Sequence, residues 1–428
     1  MSARLHRTGA KPVRLVHIGL GAFFRAHQAR FTQLASDGDA WGYAAFTVRS
    51  PRQAELLRAQ ACLYTLTERG ADGAVSRVVD QISAAHDGAD IEALRRYLAA
   101  PEVAVVTLTI TEAGYAAGSG ADAAEDVDGV RRAVAGEQVV PQSPLARLAV
   151  ALDARRAADA GPLAVVPCDN LPGNGDAARR ALMAYAAGAP ELASWIAENV
   201  SFVSTAVDRI TPRLSDEDSA QAADAAGYED IAPVVTETYS EWVLAGAFPA
   251  GRPDWESAGA IIADDIEPYE RRKLRMLNGA HTLLATAGLR RGLRTVDEAI
   301  AHPELAELVR AWWVEAGSTL PTDLDAGAYA EALRTRFANP SLKHALVQIA
   351  ENTVVKLRTR VVPVILQRAE EGASSPAGLR TLAEWALAVQ EGVLPDEVPG
   401  EGVERIRNLV PAISDGSALE EALEAARL

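Results

Sequence analysis

The stretch HIGLGAFFRAHQA, His17 to Ala29, continues the apolar run VRLV and so lies where a β-strand would hand over to a helix. Gly19-Leu20-Gly21 has the spacing of the first two glycines of a dinucleotide-binding turn. There the first glycine makes the turn and the second lets backbone amides approach a pyrophosphate. Phe24 stands where a third glycine, which permits close helix packing, would complete the pattern. Taken alone, the segment is either a cofactor turn or an ordinary tight turn.

The surrounding chain favours the first. Short β-rich runs (RLVHIG, YAAFTV, VAVVTLTI, LAVVPC, SFVSTAVD) alternate with helical stretches such as AELLRAQACL, IEALRRYLAA and ARRALMAYAAG. Apolar runs of this kind predict an open α/β domain, a largely parallel sheet wrapped by helices. After GAIIADDIEPYE the strand signal nearly vanishes, and segments such as PELAELVRAWWVEAG and GLRTLAEWALAVQEG are helical by period. The expected organisation is a Rossmann-like NAD(P)-binding domain over 1–267 and a mainly helical substrate domain over 268–428, with ligand in a cleft between them.

Composition removes several classes of function. The 428 residues are 49% hydrophobic and 23% charged, as in an ordinary globular protein. A net charge of -16 provides no field to attract a nucleic acid backbone. Two cysteines, Cys62 and Cys168, are too few for a tetrahedral zinc site or a disulfide framework, so no metal and a reducing compartment are expected. No signal peptide and no membrane-length apolar run are evident, which predicts a cytoplasmic protein with a small-molecule partner; the oligomeric state stays open.

Several polar residues could carry chemistry. After the second strand an acidic residue would favour NAD by accepting from a ribose hydroxyl. Arg49, Ser50 and Arg52 stand there instead, which suits a 2'-phosphate and leans toward NADP or dual use; the alternative is a solvated turn before a helix starting at Pro51. In ERRKLRMLNGAH, a helix at about 100° per residue gathers Lys273, Asn278 and His281 into one arc of about 140° with Leu274, Leu277 and Leu284. Arg271, Arg272, Arg275 and Thr282 take the opposite side. A poorly solvated lysine disfavours its charged form and can serve as a general base, with the amide and imidazole addressing the same oxygen. The alternative is a snorkelling lysine beside a core-bonded Asn and His. Asp169, Asn170 and Asn174 in PCDNLPGNG follow a strand end, and there Asn174 also suits a helix cap. Asp208 and Arg209 in AVDRITP are a fourth cluster, or a structural ion pair.

At these residues the chain resembles the mannitol dehydrogenase family, polyol-specific long-chain dehydrogenases that include fructuronate and tagaturonate reductases. HIGLGAFFRAHQA, LYTLTERG, LTITEAGY, CDNLPGNG, STAVDRITP, VVTETYSEWV and KLRMLNGAH agree in order, and FANPSLKHALVQIA extends the likeness to about Lys356. The resemblance implies that Lys273 is the general base, that Asn278 and Asn170 form an oxyanion hole, and that His281 positions the reacting hydroxyl. It makes Gly19 and Gly21 a cofactor turn with Phe23, Phe24 and Arg25 packed beside it, and lets Asp208 orient Lys273 or a substrate hydroxyl. The implied reaction is zinc-independent hydride transfer between NAD(P) and a linear polyol of the mannitol or arabinitol type. A hexuronate reductase is the rival, with Lys356, Arg358 and Arg360 to meet a carboxylate; a non-catalytic cofactor or sugar sensor is the rival of another class. The chain departs from the pattern at Pro167, where a serine is frequent, and at AENTVVKLRTR, which lacks the usual Asp-Gly-Ser before Lys356.

Overall fold

The computed structural model of the chain describes residues 3–70, 73–115, 121–340, 343–395, 400–415 and 421. Ser341 and Leu342 of FANPSLKHALVQIA therefore lie outside the described residues. The chain divides into two compact units, Met1–Ile266 and Glu267–Leu428.

In the N-terminal unit six parallel strands form the main sheet. Counted along the chain they are Val13–Ile18, Gly42–Phe46, Ile82–His86, Val105–Leu108, Leu163–Pro167 and Val200–Phe202, and in space they run third, second, first, fourth, fifth, sixth. This is the doubly wound order whose reversal, between the first and fourth strands, opens a crevice at the carboxyl ends. Successive side chains face opposite ways. Val16, Ile18, Val106, Leu108 and Val165 join one apolar core, and Leu15, Val105, Ala164 and Val166 join the other.

Three additional small sheets accompany this core, one of them only the parallel pairing of Ala3–Arg4 with Tyr228–Glu229. Tyr64–Gly70 pairs antiparallel with Gly73–Val79 and parallel with Val234–Glu237. Ser204–Asp208 pairs antiparallel with Glu241–Ala245, which is parallel to Ile261–Ala263. The run SFVSTAVD, expected as one strand, is thus two, broken at Val203. The physical cause is Asn174. Its Oδ1 accepts from the backbone nitrogen of Thr205 (2.9 Å) and its Nδ2 donates to the Thr205 carbonyl (2.8 Å), so a side chain replaces the sheet as partner just past the break. Asn174 is therefore not the cap of the following helix, whose N-cap is Gly173.

In the C-terminal unit the described residues form no strand, apart from a lone bridge between Thr295 and Ala345. Helix Gly279–Arg290 is buried along its first ten residues. Helices Pro303–Gly317, Leu346–Ala350, Thr353–Arg360 and Pro376–Glu391 pack around it. Trp312 and Trp385 are fully buried in this bundle. No helix of the described residues is long and apolar enough to cross a membrane.

Candidate functional site

The glycine turn lies at the sheet's switch point. The amides of Gly19 and Leu20 both donate to the Phe46 carbonyl (2.9 Å each), which ties the turn to the second strand. Amides from Gly21 onward begin the short helix Ala22–Ala26, where a first turn has no internal acceptor for its N–H groups. Gly19 has φ +119, and a Cβ there would meet the Thr109 carbonyl oxygen at 2.1 Å. A Cβ on Gly21 would meet only the Gly19 oxygen, at 3.5 Å. The first glycine is thus demanded by the fold, while the second leaves an open approach that fits a pyrophosphate.

Phe24 does not weaken the turn. Fully buried, it stacks on the His17 ring (centroids 3.5 Å apart, planes 7° from parallel) and meets Tyr43 edge-on at 5.0 Å, so aromatic packing replaces a glycine contact. His17 is itself fully buried, and desolvation pushes its pKa down to about 3, which keeps it neutral. The hydrogen-bond directions follow. Thr109 Oγ1 donates to the Gly19 carbonyl (2.8 Å), so it accepts from His17 Nε2 (3.1 Å), and His17 Nδ1 accepts from Thr107 Oγ1 (2.8 Å). This chain fixes the Gly19 peptide. Its signal was present in the sequence: a histidine inside an apolar strand needs partners, and Thr107 and Thr109 alternate onto one side of a neighbouring strand.

Arg25 turns inward. Its Nε donates to the Gly21 carbonyl (3.1 Å), its Nη1 donates to the Ala232 carbonyl (2.5 Å), and burial lowers its pKa. It therefore braces the turn. Phe23 is half-buried and stacks on His27 at 5.0 Å. Arg49 and Ser50 are exposed beyond the second strand; Ser50 Oγ accepts from the Arg52 amide (3.3 Å), and the Arg52 guanidinium lies 3.7 Å from Asp216.

Past the fifth strand, Asp169 is taken up by structure. It accepts from the amides of Ile110 (3.0 Å) and Thr111 (2.8 Å) and from the Tyr115 hydroxyl (2.5 Å), while burial raises its pKa. Asn170, the next residue, is exposed. Asp208 is buried, but Arg209 does not take it as its ion partner. The Arg209 guanidinium pairs with Glu68 (2.5 Å) and donates to the carbonyls of Ala26 (2.7 Å) and Glu237 (2.9 Å). The Asp-Arg pairing is replaced by a brace between the small sheet and the glycine-turn segment.

In the C-terminal unit the stretch expected to be α-helical contains one turn of π-helix, Lys273–Asn278, between α-helices Glu267–Arg272 and Gly279–Arg290. The i→i+5 winding inserts a residue and shifts the helical phase by about 100°. This explains three departures from the expected faces. Arg272 is buried and lies over the Tyr329 ring at 4.3 Å, Thr282 is buried with its hydroxyl donating to the Asn278 carbonyl (3.0 Å), and Leu274 is only half-buried. Lys273 and Asn278 are half-buried. His281 is buried, stacked on Phe337 (4.6 Å) and edge-on to His344 (5.1 Å), so its ring orientation is constrained from two sides. His344 is lowered in pKa by burial and, after that, by the charges of Arg336 and Lys356. Lys356, on helix Thr353–Arg360, donates from Nζ to the Ile349 carbonyl (2.8 Å). Asn352, in the stretch that lacks Asp-Gly-Ser, takes the left-handed conformation (φ 53) that starts this helix. Among the described residues no group of His, Cys, Asp and Glu is arranged to hold a metal ion.

Comparison with known proteins agrees with both units. Residues 13–257 match the mannitol dehydrogenase Rossmann domain and residues 265–392 match the mannitol dehydrogenase C-terminal domain. D-mannonate oxidoreductase of Escherichia coli strain K12 is 34% identical over 372 residues, 84% of this chain and 76% of that protein. Among solved structures, a substrate-free D-sorbitol dehydrogenase superposes with TM-score 0.86 at 28% identity, covering 98% of this chain and 95% of the other. Mannitol 2-dehydrogenase of Pseudomonas fluorescens, in ternary complex with NAD and D-mannitol, gives TM-score 0.74 at 32% identity, covering 99% and 90%. With the doubly wound sheet, its glycine turn and the helical unit that follows, the chain belongs to the mannitol dehydrogenase family of oxidoreductases.

Proposed function

We propose that the protein is an NAD(P)-dependent polyol 2-dehydrogenase, interconverting a linear polyol of the mannitol or arabinitol type and its ketose without zinc. The observation that carries this reading is the placement of Lys273, Asn278 and His281 along one π-to-α junction, within a segment that matches the family's C-terminal domain. When bound, the nicotinamide supplies or accepts the hydride. Gly19, Gly21, Phe23 and Arg25 build the turn that holds the dinucleotide. Lys273 takes the hydroxyl proton in oxidation and returns it in reduction. Asn278 and Asn170 donate to the oxygen as it gains charge, and His281 holds that oxygen in line for hydride transfer. Asp208 orients Lys273 or a neighbouring substrate hydroxyl. Arg49, Ser50 and Arg52 support NADP or dual use. Free, buried Cys62 and Cys168 support a cytoplasmic location.

One observation favours a second substrate class. Arg336 and Lys356 act electrostatically on His344, the ring that meets His281 edge-on, and cations so placed suit the carboxylate of a hexuronate. The test is absorbance at 340 nm with purified protein, crossing NADH and NADPH with D-fructose, D-xylulose, D-fructuronate and D-tagaturonate. Reduction of a neutral ketose is expected, with NADPH used at least as well as NADH. Activity on the uronates alone would replace the polyol reading with hexuronate reduction. Silence with all four would favour the sensor.

A further inference from the structure

The π-turn at Lys273–Asn278 is held from outside its own helix. Trp312 Nε1 donates to the Arg275 carbonyl (3.0 Å) and Trp313 Nε1 to the Met276 carbonyl (3.1 Å), both from helix Pro303–Gly317. From helix Thr353–Arg360, Arg360 Nη1 donates to the Asn278 carbonyl (3.3 Å) and to Thr282 Oγ1 (3.2 Å). A Cβ on Gly279 would lie 2.7 Å from Trp312 Cζ2, so glycine is what lets the indole reach the turn. Arg360 has no carboxylate partner among the described residues, and desolvation pushes its guanidinium down to about 10. The Arg360 side chain is half-buried, and holding a partly desolvated cation there with only a carbonyl and a hydroxyl for partners costs free energy.

We propose that Trp312, Trp313 and Arg360 are positioning residues for proton transfer, and that they act by keeping this turn wide. Lys273 precedes the inserted residue, whereas Asn278 and His281 close and follow it. Collapse to an ordinary α-turn would rotate Lys273 relative to the other two by about 100°. The three donors therefore set the phase between the base and the groups that hold the oxygen. The proposal rests on Lys273 being that base.

The experiment compares Arg360→Met, Arg360→Lys and Trp313→Phe, using D-fructose or D-fructuronate, whichever the wild type reduces. Misplacement of about 1 Å can cost roughly 100-fold in rate. The expected result is a kcat about 100-fold lower in Arg360→Met and at least tenfold recovered in Arg360→Lys, with the dissociation constant of the reduced cofactor unchanged. Independently of activity, amides of residues 273–282 should exchange with deuterium faster in Arg360→Met and Trp313→Phe, while those of helix Pro144–Ala157, in the N-terminal unit, should not. Wild-type kcat together with wild-type exchange in this segment would overturn the proposal; should Arg360→Met fail to fold, Trp313→Phe decides by the same two readings. Lys273→Met is the control: if it turns over normally the base assignment fails, whereas the exchange comparison still judges the turn.

Discussion

Replacing Lys273 with methionine is expected to lower kcat by about 10²–10⁴-fold, the usual contribution of a positioned general base, while the affinity for the reduced cofactor stays as it was. Methionine keeps the length and apolar stem of lysine, so the change removes the amine head that the proposal makes the proton acceptor. The two observables separate because the glycine turn, proposed to hold the cofactor, belongs to the N-terminal unit and Lys273 to the other. The pH profile adds a sharper criterion. If Lys273 is the base, the limb of kcat/KM for polyol oxidation that reports deprotonation of the free enzyme's base disappears in the variant. A variant with wild-type kcat, or with the same limb, would show that another group accepts the proton.

Gly19→Ala should damage the N-terminal unit severely, because it combines a positive φ with a backbone clash. A left-handed or otherwise positive φ costs an L-residue about 1–3 kcal/mol. At φ +119 the new Cβ would also stand 2.1 Å from the Thr109 carbonyl oxygen and 2.5 Å from Thr109 Oγ1. Overpacking of this sort adds about 1–3 kcal/mol. Neither atom can retreat cheaply, because the Thr109 amide donates to the Ile18 carbonyl (2.9 Å) and the hydroxyl links His17 to the Gly19 carbonyl. The cost, about 2–6 kcal/mol together, falls on the folded state and should show first as a clearly lowered Tm, with cofactor affinity falling as well where the turn is displaced. Gly21→Ala is the informative contrast: its φ is -127 and its Cβ finds space, so Tm should hold while cofactor affinity falls. Equal behaviour of the two variants in both assays would contradict the division of labour between the glycines.

How much of this was legible in the sequence depended on whether a local rule applied. The parallel sheet follows from apolar runs that are buried on both faces, and VRLVHIG to Gly19 contains its own turn signal. The π-turn was illegible because face assignment presumes 3.6 residues per turn. Nothing in KLRMLN announces an inserted residue, and the donors that hold it come from positions 312, 313 and 360. Arg360 was visible only as a cation for a substrate carboxylate, since its actual partners, a backbone carbonyl and a threonine hydroxyl, are tertiary neighbours. Asn174 was misread for a similar reason: at a helix start an asparagine looks like a cap, and only the fold brings Thr205 beside it.

That asparagine also bears on chemical durability. Asn174 precedes Gly175, the sequence in which the following backbone nitrogen most readily attacks a side-chain amide. In the native chain the amide is buried and engaged with Thr205 and with the Asp169 carbonyl (3.1 Å), while helix geometry restrains the attacking nitrogen. Unfolding removes that protection. Conversion to aspartate would turn a donor facing two carbonyls into a second acceptor, leaving the strand break without its stitch. Heat inactivation should therefore become irreversible on the timescale of amide loss, read as a gain of about one mass unit on the peptide containing Asn174; molecules that fail to refold without that change would point to aggregation instead.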